Sequence, residues 1–260
     1  MKKYLKVWWL FTVSSFQIQL NVRWGLALFL FAKILRFAIF TFFLVILLNS
    51  TKVLAGYSLD QTILFFLSFN FLDILSQLLL REVYRFRSVV LSGTFDFYLI
   101  KPINPLFRSL FTGPDLLDFV ILIPLIFTII FFINRLNFFN ILNLSGYLIM
   151  LTVGFLIALS FHILVLSLGI LTTEIDNAIM LYRDIVAMGR MPVDIYMEPI
   201  RGFLTFIIPV GIMMTFPAKT LMGMLSPLLI FYSIIFAIFL FFLSLRIWRF
   251  TLKKYSSASS

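Results

Sequence analysis

REVYRFRSVVLSGTFDFYLIKPINPLFR, from Arg81 to Arg108, is a polar island between two long apolar stretches. It holds five basic residues, Arg81, Arg85, Arg87, Lys101 and Arg108, against two acids, Glu82 and Asp96. The apolar runs on either side read as membrane spans. A dense basic segment between them reads as a structured loop on the cytoplasmic side, where Lys and Arg accumulate. Such a loop is suited to gripping a partner, and it is the first place to look for function.

Outside the island the chain is strongly apolar. Of its 260 residues 62% are hydrophobic, 34 are Phe, and mean hydropathy is +1.08. Soluble chains need only about 45–50% apolar residues. The reading is an all-α polytopic membrane protein with almost no domain outside the bilayer. A net charge of +10 then follows from the positive-inside bias and contact with anionic headgroups. Nucleic acid is not an expected partner; the lipid bilayer is. With no Cys, disulfides and thiol chemistry are excluded. The basic-then-apolar start MKKYLKVWW has no small-residue cleavage site after it, so it reads as retained.

Residues 1–23 alternate polar and apolar positions at helical spacing, which predicts an amphipathic helix in the membrane interface with Trp8 and Trp9 at headgroup depth. Six spans are expected within residues 24–249: 24–49, 61–80, 114–133, 143–170, 200–215 and 227–248. Loops 50–60 and 134–142 are short, whereas 81–113 and 171–199 are longer and polar. Residues 250–260 read as a cytoplasmic tail. With that topology one side collects sixteen Lys and Arg and the other three, Lys52, Arg135 and Lys219. Both termini and both long loops are therefore expected in the cytoplasm.

The fifth span differs in character. From Pro199 to Met224 it reads PIRGFLTFIIPVGIMMTFPAKTLMGM. Pro209 and Pro217 interrupt it, and Gly211 and Gly223 loosen it. Backbone carbonyls freed by proline must be satisfied by protein or water at membrane depth. A broken, re-entrant piece on the outer side fits this better than one straight helix.

Few residues suit covalent or metal chemistry. His162 is the single histidine and lies in an apolar span, so it reads as a packed residue, and a zinc site has no donor set. One histidine gives no serine a catalytic triad. Glu174 and Asp176 read as a solvated helix end. No G-x-x-x-x-G-K-[ST] phosphate loop is present, so energy for active transport would come from another polypeptide. Lys33 and Arg36 fall inside the first span, where charge is costly. Two readings stand: a basic patch on the path of an anionic substrate, or snorkelling to the interface, the simpler of the two. Asp73 in the second span is a candidate partner for either. Asp115 and Asp118 read as acids that satisfy the N-terminal dipole of the third span.

Three stretches carry a resemblance. GTFDFYLIKPINPLF, Gly93 to Phe107, is similar to the G-x-L-D-x-x-L-x-[KR]-P-x-[ND]-P-L pattern of the ATP-binding-cassette (ABC) type-2 permeases, in the subgroup of small six-span exporters; Phe95 stands where Leu is usual. PVDIYMEPIRGFLTFIIPVGIMMTFPAKTLMG, Pro192 to Gly223, resembles that subgroup's closing segment. AGYSLDQTILFF, Ala55 to Phe66, resembles its lead-in to the second span, with Tyr57 in place of Trp.

The resemblance implies a non-catalytic permease subunit. A second permease, identical or homologous, would complete the path, and two ABC ATPase subunits would dock beneath. This chain would hold no cofactor; ATP and magnesium would belong to the ATPase. The loop between spans two and three would carry a coupling helix within Glu82 to Leu91. Tyr84, Phe86 and Val90 would be its apolar contacts with the ATPase, and Arg85 and Arg87 its charged ones. Gly93 would permit a sharp turn ahead of Asp96. Pro209 and Pro217 would belong to an outer gate. The cargo expected is hydrophobic or amphipathic, moved out of the cytoplasm of a bacterial inner-membrane type of cell membrane. The competing reading is an ion-coupled secondary transporter, which usually shows internal repeats and paired intramembrane acids; no convincing repeat is present, and Asp73 is the one acid near mid-span.

Overall fold

Serine, asparagine and aspartate side chains mark where the helices begin. Ser58 opens one with a reciprocal cap: its Oγ accepts the Gln61 N–H, and Gln61 Oε1 accepts the Ser58 N–H. Asn104 caps the helix that begins at Pro105, and Asp115 the one that begins at Leu116. A computed structural model describes residues 2–51, 54–136, 140–172 and 175–255. Lys52, Glu174 and the last residues of the expected tail lie outside them.

The long helices are α1 (Lys2–Asn21), α2 (Arg23–Thr51), α3 (Leu59–Leu80), α7 (Leu116–Arg135), α8 (Ile141–Thr172) and α12 (Pro227–Lys254). Between α3 and α7 lie a 3-10 turn at Arg81–Arg85, then α4 (Phe86–Leu91), α5 (Thr94–Ile100) and α6 (Pro105–Phe111). Between α8 and α12 lie α9 (Ile175–Ala187), α10 (Ile200–Gly202) and α11 (Phe216–Leu221). No strand occurs among the described residues. Five helices, α2, α3, α7, α8 and α12, are long and apolar enough to cross a membrane.

Contacts at the helix ends establish two ends of the bundle. One gathers α1, the 81–111 segment, the start of α9 and the end of α12: Lys3 Nζ donates to Pro102 O, Arg87 meets Asp176 at 2.8 Å, and Tyr255 Oη donates to Asp96. This is the basic end. At the opposite end Arg135 pairs with Asp60, while Asp194 accepts from Tyr57 Oη and Lys219 Nζ.

Asp176 and Asp194 therefore sit at opposite ends. The segment 175–195 carries the chain across the bundle, which corrects its expected placement in a cytoplasmic loop. Its helical pieces, Ile175–Ala187, Met188–Arg190 and Val193–Ile195, together rise roughly 30 Å, enough to cross a bilayer core. The two pieces 200–207 and 211–221, expected to hold a fifth span at 200–215 that ends in a broken, re-entrant piece, are bent by 81°. They dip in and return: Gly154 of α8 faces Met213, Gly146 faces Thr220, and Asn143 lies beside Gly223 at the far end. They form a re-entrant hairpin between the fifth crossing and α12. Hydropathy missed the crossing because Asp176, Arg183, Asp184 and Arg190 break its apolar run.

Candidate functional site

The basic-end segment is held from inside. Phe86 and Phe95 are fully buried and meet edge to face at 5.2 Å; Phe95 also meets Trp248 of α12 and Tyr255. Val90 is buried beside them. Gly93 makes the turn into α5 with φ at 70° and nothing within 4 Å of an added Cβ, so glycine is needed for backbone conformation and not for space. Arg108 lies 3.8 Å over the Tyr98 ring. Burial raises the phenol pKa of Tyr98.

These placements change the expected roles. Phe86 and Val90 cannot touch a partner because they form the segment's own core, and Tyr84 is half-buried against His162 and Arg183. Asp96 is engaged by Tyr255. Arg85 and Arg87 do lie on the outward surface, and its apolar part is Leu91, with Phe97 and Ile100 beside it, in place of Phe86 and Val90. Glu82 sits inward, beside Arg85 at 3.6 Å. The signal that could have found this is spacing: Val83, Phe86 and Val90 recur at helical intervals on one face.

A second feature lies in the bundle above this segment. A cavity of about 210 Å³ is bounded by α2, α3, α7 and the 175–190 stretch. Its charged lining is Lys33, Arg36, Arg81, Arg183 and Arg190 with Asp73 and Asp118; Asn70 and Gln77 add polar groups. Asp118 is buried and accepts from both Lys33 and Arg81, while Asp115 pairs with Arg81 at 2.5 Å. Lys33 thus does not snorkel, and its partner is Asp118 rather than Asp73, which accepts from Gln77. Asp115 still caps α7 through the Leu117 N–H. The cavity brings Lys33, Arg36 and Asp73 together as sequence suggested, and adds Arg81, Asp118, Arg183 and Arg190, which it did not.

Pro209 and Pro217 do not line this cavity. Pro209 lies at the inner bend of the hairpin, and Pro217 is buried in α11 against α8. His162 is buried, with Nδ1 2.7 Å from Ala158 O. Among the described residues no cluster of His, Asp or Glu could hold a metal ion.

The family model described as "ABC-2 family transporter protein" matches residues 34–259, nearly the whole chain. The chain belongs to the ABC-2 transporter family. It is a multi-pass transmembrane subunit of an ABC transporter, and membership implies association with ABC ATPase subunits. Comparison with curated proteins and with solved structures finds no match. Within the permease the basic-end segment is a compact platform, and the charged cavity opens into its root through Gln77, Arg81 and Arg183, which also line a smaller space beside Tyr84.

Proposed function

We propose that this permease is half of the membrane unit of an exporter. Two copies, or one copy and a homologous sister, enclose a path; two ABC ATPases dock on the basic end and supply ATP hydrolysis with magnesium. The basic end is cytoplasmic. Support for that orientation survives the new topology: Arg183 and Arg190 leave the count for the interior and Arg201 moves to the far end, yet the Lys and Arg of residues 2–23, 81–108 and 246–254 remain together. The cargo is hydrophobic or amphipathic.

The observation that carries the reading is the platform itself. Its core side chains bind it to α8, α9 and α12 at once, so a force on its outer face is delivered to three elements of the bundle. ATP-driven approach of the two ATPases would draw the platforms together and turn the path outward. The hairpin around Pro209 and Pro217 would be the outer gate.

The test is a pull-down in mild detergent from native membranes, comparing wild type with Leu91→Asp. A nucleotide-binding protein should accompany wild type and be lost with the variant. If none accompanies either, the exporter reading fails and ion-coupled transport takes its place.

A further inference from the structure

The cavity lining holds five cations and two carboxylates. Lys33 and Arg81 are neutralised by Asp118 and Asp115. Arg36, Arg183 and Arg190 make no ion pair among the described residues. Guanidinium does not lose its proton in proteins, so these charges cannot be relieved by titration. Unpaired cations at membrane depth are costly and mark a water-filled path or a ligand.

The other wall is aromatic. Phe37, Phe40, Phe66 and Phe69 line the same cavity, with Phe40 stacked on Phe66 at 4.4 Å. The two halves are ordered along the bundle. In α2 and α3, Lys33, Arg36, Asp73 and Gln77 lie nearer the basic end, and the four Phe lie deeper. Arg190 stands at the inner depth: Gly189 packs on Met214, whose neighbour Met213 meets Leu72 through Gly154.

We propose that this cavity binds the phosphate-bearing headgroup of an anionic amphiphile, with its apolar tail along the Phe wall. The inference rests on the exporter reading and names the substrate class for it. Planar guanidinium forks match phosphate oxygens two at a time. The volume, about 210 Å³, is below the roughly 300 Å³ at which drug-sized pockets begin, so it admits a headgroup and the first part of a tail, with the rest of the lipid outside it. Head toward the basic end and tail toward mid-membrane is the orientation of a lipid in the leaflet at that end.

The test is photolabelling of the purified permease, with whatever ATPase accompanies it, in phosphatidylcholine nanodiscs. The probes are photoactivatable phosphatidylglycerol and photoactivatable phosphatidylcholine. The anionic probe should label α2, α3 and residues 175–190, and the zwitterionic one should not. Arg36→Gln with Arg183→Gln should cut labelling by about tenfold, the scale of a lost charge-assisted contact, while Arg36→Lys should retain more than Arg36→Gln. Displacement by excess inorganic phosphate would support the anion site and assign it to a free phosphate; indifference to it assigns the lipid headgroup. Equal labelling by both probes would overturn the proposal. So would wild-type labelling in the double variant, or an Arg36→Lys loss as large as that of Arg36→Gln in a monodisperse sample. Labelling needs no ATP, so failure to recover an ATPase would sink the exporter reading and leave this result standing.

Discussion

Asp118, at the start of α7, is shared by Lys33 of α2 and Arg81 at the end of α3. One buried carboxylate therefore holds three elements together beside the cavity. Asp118→Asn leaves Lys33 without its partner and Arg81 with Asp115 alone, and because both cations are partly exposed its cost falls at or below the low end of the about 3–5 kcal/mol for breaking a buried pair. Lys33→Gln removes a side chain that is 32% exposed and leaves Arg81 on the carboxylate, so its cost is smaller. Thermal unfolding in detergent should rank Asp118→Asn well below Lys33→Gln, with both below wild type. Equal midpoints would refute the shared-carboxylate account.

The crossing at 175–195 has a clean topological test, because the chain has no Cys. Ser92 is exposed at the basic end, and Met197 is 84% exposed just beyond Asp194. With single cysteines placed at these positions, a membrane-impermeant maleimide on intact cells should label Met197→Cys and leave Ser92→Cys unmodified. Were 171–199 a cytoplasmic loop, the two would behave alike.

The apolar spans were legible from the sequence because lipid-facing and core-facing positions in α2, α7, α8 and α12 are both apolar. The crossing at 175–195 was not, since one side of it faces a charged cavity and carries Arg183 and Arg190. The pairing of Lys33 was hidden for a different reason. Its partner lies 85 positions away, and the dipole of α7 already gave Asp118 a sufficient local reason to be there. Asp96 illustrates the same limit: the motif singled it out, but its tie to Tyr255 across 159 positions is a matter of packing.

Gly154 lets the re-entrant hairpin approach α8. An added Cβ would stand 2.7 Å from Met213 O and 2.9 Å from Leu72 Cδ1. A backbone carbonyl cannot swing aside as a side-chain tip can, so Gly154→Ala should destabilise by about 1–3 kcal/mol, the usual range for overpacking. Gly146→Ala meets only the Thr220 methyl and should cost less. Denaturation midpoints of the two variants check the order.

At Gly93 the argument is conformational. Gly93→Ala should cost about 1–2 kcal/mol from the left-handed backbone alone, and Gly93→Asn less. Because space is free around the position, recovery of an ATPase should track the stability of the platform in both variants; a loss of recovery without a loss of stability would contradict this.

The tie between Tyr255 and Asp96 should be insensitive to ordinary pH. Burial and the hydrogen bond to Asp96 push the Tyr255 phenol up to about 12. A raised phenol pKa means that the folded form prefers the proton. Its contribution is fully present below about pH 10, the unfolded value, and is lost as pH rises through 12. Proteolytic release of the C-terminus should therefore be flat between about pH 6 and 9 and increase in Tyr255→Phe at every pH in that window.

The crossing segment is pinned at Asp176 by Arg87 and at Asp194 by Tyr57 and Lys219. Its residue count is thereby part of its chemistry. Removing one residue from α9 turns everything beyond the deletion by about 100° and draws it in by about 1.5 Å. Neither pinned end can follow, and Arg190 would swing off the cavity wall. Substitutions along this segment change one side chain at a time, whereas a change of length alters its phase, so this stretch should tolerate variation in letters far better than variation in number.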